Sequence, residues 1–582
     1  MSVRRANRPE LLAPGGSIEA IEAAVQHGAD AVYLGVGSLN ARVRARNLTA
    51  AQLPGVVGFC HAAGVRVHVA LNVPLQPATV SDAASTLAEA WAAGADAVIV
   101  RDAALMRAAR ELCPGLAIHA STQAGVQTPA SARRARENGC DRVILARESS
   151  LADVQRIRGA VPEVEVETFV YGALCFAVSG QCLLGEAVGG RSGNYGACSQ
   201  PCRLPYFDAT GKPLGYVFSM RDLDLTARIP ELVEAGVASL KIEGRLKSPA
   251  WVGCVVRWLR RALDRDPPGL TADEARQFEA EASVLFRRPP TSAWLDGNRG
   301  YTDLVAPDAS GHRGLNVPEF SVVSIRGGHA LRFRTPVELS LHDGLLVGVS
   351  DPKAHDGVDS RPMPVERLLD ERGRDTFRIP AGAVAQVPIR ERGRVVAVAI
   401  HSSDAVRLSY ERADRRMPQD VLRGEPARPR FVSIDLAAGH LGGLLRHGRL
   451  EHAFDLPLRT EPARNGGLPR DLASRLFGDA EVHAEPGLFA NPSALKRARR
   501  EALAAFETTA GAETADLTAR VEARLRETAV FPKSDAELLA IGPAAFSRVE
   551  GFPHREVFTS AGHKFEIEPA RHGTRVQYRG RR

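Results

Sequence analysis

Short apolar runs recur through the first 250 residues, at 11–13, 31–34, 65–70, 97–100, 117–119, 142–146, 164–170 and 239–242. Each ends in polar residues or glycine. Ala-rich amphipathic stretches, such as 18–27 and 83–93, separate most of them. Strand-length runs alternating with helix-length stretches predict parallel strands joined by helices. Gly28, Gly94 and Gly236 stand where helices should stop, since glycine accepts the left-handed conformation that closes a helix. Eight such units predict an α/β fold with a (β/α)8 TIM-like barrel over residues 1–265. An open doubly wound sheet is the alternative. No GxGxxG follows the first run, which argues against its dinucleotide-binding form.

Beyond the barrel the pattern changes. Residues 266–303 predict a helical connector, with Thr271 as N-cap of its second helix. Residues 304–412 alternate apolar and polar, as at 330–334 and 395–400, and predict a small all-β barrel or sandwich. A Pro/Arg-rich linker at 418–429 leads into an α+β domain within 413–530, with an Arg-rich helix over 492–506. Residues 531–582 form an extension whose last twelve residues hold five Arg and no acid, expected to be a solvated flexible end.

Charged residues make up 25% of the 582 and hydrophobic ones 44%, which excludes a disordered chain or a fibre. No apolar run approaches the ~20 residues of a membrane span, and the first twelve residues carry no apolar leader. A cytoplasmic protein without a membrane partner is expected. The net charge is +7, and only seven of the 75 basic residues are Lys. Guanidinium groups grip phosphates bidentately and stack on bases, so nucleic acid stays among the expected partners.

Four of the eight Cys fall within 28 residues: Cys175, Cys182, Cys198 and Cys202. They follow the seventh run, which puts them at the C-terminal face of a barrel, where active sites sit. Six glycines lie between the first and last of them. Four thiolates can hold zinc or an iron–sulfur cluster. The gaps of six, fifteen and three residues leave cluster, zinc and no metal all open. Cys60, Cys113, Cys140 and Cys254 lie in apolar or helical stretches and read as core.

Polar residues at run ends should converge on a pocket. They are Asn72, Arg101, Asp102, His119, Ser121, Gln123, Arg147, Glu243 and Arg245. His119, Gln123, Glu243 and Arg245 are the catalytic candidates, and Asn72, Arg101 and Arg147 the substrate-binding ones. Helix caps and ion pairs are the plainer reading, with Glu243 and Arg245 as one such pair. Arg42, Arg44 and Arg46 alternate after the second run: Arg42 and Arg44 would hold a carboxylate or phosphate, or the stretch is a solvated edge. Lys496, Arg497, Arg499 and Arg500 are the first choice for RNA phosphates. A thiol peptidase using Cys175 and His119 would leave three clustered Cys unexplained, and neither HExxH nor GxSxG is present.

Residues 10–42, 167–184 (ETFVYGALCFAVSGQCLL), 197–203 (ACSQPCR) and 239–252 (SLKIEGRLKSPAWV) resemble, in this order, blocks of the collagenase-like peptidase family of unknown mechanism. The resemblance adds Glu167, the signature glutamate, to the catalytic candidates. Family members hydroxylate tRNA, 23S ribosomal RNA or ubiquinone, and the ubiquinone pair carries a four-Cys [4Fe-4S] cluster. The resemblance therefore implies a [4Fe-4S] cluster on Cys175, Cys182, Cys198 and Cys202, with zinc as the alternative metal. The segment from 430 to 506 is similar, more loosely, to the added domain of the 23S rRNA branch. That branch implies prephenate-dependent 5-hydroxycytidine formation in 23S rRNA, with prephenate as a candidate co-substrate and RNA rather than DNA as partner; tRNA wobble-uridine hydroxylation is the second expectation. A peptidase or a metal-stabilised RNA-binding factor is the third.

Overall fold

The computed structural model describes residues 8–581 except 309–310, 313, 327, 351–357, 390–393, 412–414, 425–428, 463–469, 486–487, 533, 536, 539–544 and 571–572. Part of the 418–429 linker, and Arg571, His572 and Arg582 of the basic tail, therefore lie outside the described residues.

All eight apolar runs become strands of one barrel: β1 (Glu10–Gly15), β2 (Ala31–Gly35), β3 (Arg66–Leu71), β4 (Ala97–Val100), β5 (Ala117–Ala120), β6 (Arg142–Ile144), β7 (Glu165–Ala173) and β8 (Ser239–Glu243). Neighbours pair in parallel, and β8 pairs with both β7 and β1, so the sheet closes. A parallel strand is covered on both faces, which is why these segments read as runs rather than as alternation. Several of the barrel's helices start on side-chain caps. Ser17, Asp102, Thr128, Ser150 and Ser248 each accept from a first-turn N–H. Cys60, Cys113, Cys140 and Cys254 are all buried in this core.

The barrel interior below the mouth is ionic. Arg142 Nη1 donates to Glu10 at 2.6 Å and to Glu167 at 3.2 Å, and Lys241 Nζ donates to Glu167 at 2.9 Å. His68 and His119 stand edge to face at 4.9 Å in the same interior. Burial, first of all, keeps both imidazoles neutral, with His68 pushed down to about 3.

Between β7 and β8 the chain makes a long excursion. It holds the Cys loop, the strands Tyr206–Phe207, Pro213–Gly215 and Asp222–Asp224, and the helix Ile229–Glu234. After the barrel, Thr271 caps the helix Ala272–Leu285 in a capping box with Glu274. Two antiparallel sheets within 315–402 share a core that includes Leu331, Phe333, Leu345, Val347 and Ile400. A further sheet of Arg430–Ala437, His440–His447, Leu450–Pro457 and Glu481–Ala484 follows. Among the described residues, no helix is long and apolar enough to cross a membrane.

Two expectations need correction. The Arg-rich helix does not stop at 506 but runs Pro492–Thr528, 37 residues and about 55 Å. Its first half buries Leu495, Ala498, Ala502 and Phe506 against the Arg430–Pro457 sheet. Its second half buries Leu517, Val521 and Leu525 against the barrel core. The apolar face lapses between Phe506 and Leu517, where the helix passes from one core to the other, and that gap hides its continuation. The basic tail is not a loose end either. Residues Gly573–Arg581 form a strand between Ala545–Ser547 and His563–Ala570. Val576 points inward, while Arg575 and Arg579 pair with Glu568 and Glu566 on the next strand. The period-2 alternation was present beneath the charge.

Truncating Leu525, fully buried where the long helix meets the barrel, is expected to destabilise the protein by about 2–5 kcal/mol. Urea unfolding of Leu525→Ala against the parent checks this.

Candidate active site

A pocket opens at the C-terminal mouth of the barrel. Its walls include Tyr33, Arg42, Asn72, Gln123, Arg147, Phe169, Lys241, Glu243 and Arg245. Glu243, at the end of β8, is the centre of its charge. Arg42 Nη2 donates to one carboxylate oxygen at 3.2 Å, and Arg147 Nη2 donates to the other. Burial opposes ionisation, but the two guanidiniums outweigh it and hold the Glu243 carboxyl down at about 2. Glu243 does not pair with Arg245, contrary to the plainer sequence reading. Arg245 instead donates to the side chains of Asn40, at 2.9 Å, and Asn47.

Asn72 braces the rim. Its Oδ1 accepts from Ala41 N at 2.9 Å, and its Nδ2 donates to Ser121 at 3.1 Å. Arg147 also lies over the Phe169 ring, 4.6 Å from its centroid. Lys241, which the sequence reading passed over, forms the floor above Glu167 and sits 4.2 Å from the Tyr33 ring centroid. Its signal was a single Lys within an otherwise apolar run.

Other candidates fall elsewhere. Glu167 and His119 lie in the barrel interior beneath the pocket and do not line it. Arg44 is exposed; along this rim loop only Arg42 turns into the barrel. Arg101 turns from the pocket to the Cys loop, donating to Gly180 O at 3.1 Å. Asp102 caps the helix Ala103–Leu112. On the long helix, Lys496, Arg497 and Arg500 are exposed, while Arg499 leans over Phe431 at 5.9 Å.

The Cys loop lies against this rim. Gly180 (φ +79°) packs so closely that a Cβ would come within 2.2 Å of Gln123 O, and Gly196 (φ +85°) repeats this against Asn40 O. Only glycine suits both positions. Buried Glu148 accepts from Ser179 N and Oγ at 2.9 and 2.8 Å, and Arg203 donates to Leu174 O at 3.2 Å. All four thiols are free and half-buried. Burial raises the thiols of Cys175, Cys182 and Cys202, the last to about 12. Within the foursome every pair interacts electrostatically. Arg147 favours the Cys175 thiolate, and Arg203 and Arg288 the Cys202 thiolate. Arg42 feels both Glu243 and the thiols of Cys198 and Cys175, so pocket and Cys loop share a cation. Among the described residues, no three His, Cys, Asp or Glu gather about a single point as a one-metal site requires. Four thiols on one loop, backed by cations, fit an iron–sulfur cluster in donor chemistry.

The model of peptidase family U32 matches residues 16–304. The "23S rRNA 5-hydroxycytidine C2501 synthase" of Escherichia coli (strain K12) is 34% identical over 516 residues, covering 85% of this chain and 75% of that protein. The chain belongs to peptidase family U32. Other U32 relatives align over a shorter span. "tRNA hydroxylation protein P1" of Bacillus subtilis (strain 168) is 31% identical over 51% of this chain and 73% of its own length. "Collagenase" of Porphyromonas gingivalis is 33% identical over 50% and 74%. This U32 chain thus has relatives named for RNA hydroxylation and for proteolysis.

The pKa of Glu243 carries a sign. Its folded value, about 2, lies below the ~4.3 of a free glutamate. The stability it contributes is full above about pH 4.3 and lost as pH falls towards 2. Acid unfolding should therefore show a component between these values that Glu243→Gln lacks, read by circular dichroism from pH 5 to 2.

Proposed function

We propose that this U32 protein hydroxylates RNA, forming 5-hydroxycytidine in 23S ribosomal RNA, with a [4Fe-4S] cluster on Cys175, Cys182, Cys198 and Cys202. The observation that carries the reading is the packing of the Cys loop on the pocket rim: Gly180 lies against Gln123 and Gly196 against Asn40, so a base held in the pocket would sit beside that loop. The choice of 23S rRNA is supported by the alignment with the Escherichia coli synthase, which extends over 85% of the chain and so into the C-terminal half.

C5 hydroxylation of a pyrimidine is an oxidation that acid–base side chains do not supply. The cluster, when bound, supplies the redox capacity. Zinc, with its ~2.3 Å bonds to thiolates, is the alternative metal for the same four cysteines and would supply no redox capacity. The chain's own groups bind and orient. The target base must leave its stack to enter the barrel mouth. Asn72, Gln123 and Arg147 offer hydrogen bonds to its edge, and Phe169 and Tyr33 an aromatic wall. Glu243, ionised at neutral pH, holds Arg42 and Arg147 in place rather than moving a proton. Prephenate, the co-substrate implied by the family resemblance, is an anion and suits a pocket with Arg42, Arg147, Arg245 and Lys241 in its walls. The exposed Lys496, Arg497 and Arg500 would meet phosphates. A Cys175–His119 peptidase has less support, because His119 packs on His68 beneath the pocket and stays neutral.

The anaerobically purified protein is expected to be brown and to carry about four irons per chain. Cys175→Ala, Cys182→Ala, Cys198→Ala and Cys202→Ala should lose the iron, and Cys60→Ala should not. Mass spectrometry of 23S rRNA from a deletion strain should show one 5-hydroxycytidine missing, restored by the parent and not by Cys175→Ala. Stoichiometric zinc without visible absorbance would remove the cluster, and loss confined to tRNA would move the protein to the tRNA reaction.

RNA affinity should fall with salt at a slope near 0.7 per phosphate contact for single strands. Replacing Lys496, Arg497 and Arg500 together by Ala should flatten that slope and leave the iron content unchanged, measured by filter binding at several salt concentrations.

A further inference from the structure

The Cys loop is completed by a residue far along the chain. Asp535 follows the long helix and is buried, 5% exposed. Its Oδ2 accepts the hydroxyl of Ser192 and, at 2.9 Å, the side-chain amide of Asn194. Ser192 Oγ in turn accepts from the backbone N–H groups of Asn194 and Tyr195, at 3.1 and 3.2 Å. Asn194, also buried, grips the backbone of Cys182 on its other side. Its Oδ1 accepts from Cys182 N at 3.2 Å, and its Nδ2 donates to Cys182 O at 3.0 Å.

The orientation of Asn194 follows from this pattern. An ionised carboxylate only accepts, so Asp535 draws the NH₂ end of the amide towards itself. One amide proton goes to Asp535 and the other to Cys182 O, leaving Oδ1 for the Cys182 N–H. Nearby backbone contacts come from the same C-terminal region. Val178 N donates to Phe546 O at 2.8 Å, and Cys182 forms an isolated β-bridge with Ala545.

We propose that Asp535 is a positioning residue for the four-cysteine site: through Asn194 it fixes the Cys182 backbone where its thiolate can serve as a ligand. The part concerning ligation rests on the cluster reading above; the fixing of Cys182 does not. Among the described residues, the side-chain hydrogen bonds of Asp535 run to Ser192 and Asn194, and its charge also bears on Arg101.

The test uses the full-length chain and two readouts. One is the rate of iron loss in air, followed by visible absorbance. The other is iodoacetamide alkylation of Cys182 in the metal-free chain, followed by peptide mass spectrometry. Asp535→Ala should accelerate both by about tenfold or more, the effect of losing its hydrogen bonds from Ser192 and Asn194. Asp535→Asn keeps an oxygen for the same two donors and should restore both rates to near the parent's. Glu568→Ala, which removes an exposed pair with Arg575 in the C-terminal sheet, should change neither. Parent rates in Asp535→Ala would overturn the proposal, as would an Asp535→Asn protein as fast as the alanine variant. Should Asp535→Ala fail to fold, Asp535→Ser, whose shorter side chain gives up the bond to Asn194, decides by the same two rates. A parent without iron would end the cluster reading alone, and alkylation of Cys182 would still decide whether Asp535 positions the loop.

Discussion

Taking the Glu243 carboxylate out of water would cost several kcal/mol were its two oxygens not each met by a guanidinium. Arg42 arrives from the loop after β2 and Arg147 from the end of β6, so one carboxylate ties three separate strand ends together. The dependence is mutual: without Glu243, two half-buried cations would face each other across the mouth. Those cations also look outward. The charge of Arg42 bears on Cys198 and Cys175, and that of Arg147 on Cys175. The pocket and the cysteine loop are thus two sides of one charge arrangement.

A second ionic set lies beneath the first. Glu10, Arg142, Glu167 and Lys241 alternate in sign through the barrel interior, where TIM barrels more often hold branched apolar layers. Such a set adds little net stability over apolar packing. Its effect is on the pocket: Glu167 holds Lys241 at the floor, so the mouth is cationic from below as well as from its rim. Glu167 thereby shapes the pocket without lining it.

The barrel was legible because parallel strands covered on both faces leave continuous apolar runs, and all eight were present. The cysteines were legible from their crowding and from their place after the seventh run. The barrel's charged residues were harder to read. Glu10, Glu167 and Lys241 sit inside otherwise apolar segments, and nothing local says that their partners come from other strands. The partners of Glu243 are likewise 201 and 96 residues away, so its neighbour Arg245 looked the better match. Arg42 and Arg44 share a residue type and a two-residue spacing, yet only one turns inward. The long helix lost its pattern where it crosses between cores, and charge masked the alternation of the last strand. Asp535 carries no local signal at all.

The clasp formed by Asp535 has a consequence for the order in which the protein is made. Ser192 and Asp535 are 343 residues apart in sequence. At translation rates of 5–20 residues per second, the cysteines wait about 17–70 s before the carboxylate that orients Asn194 is synthesised. During that interval the barrel strands β1 to β8 are already in hand, but the loop lacks its last support. Four thiols would then stand in the cell less constrained than in the finished protein. Insertion of a cluster would accordingly be favoured late in synthesis or after it, once the C-terminal strands have paired with Tyr206–Phe207.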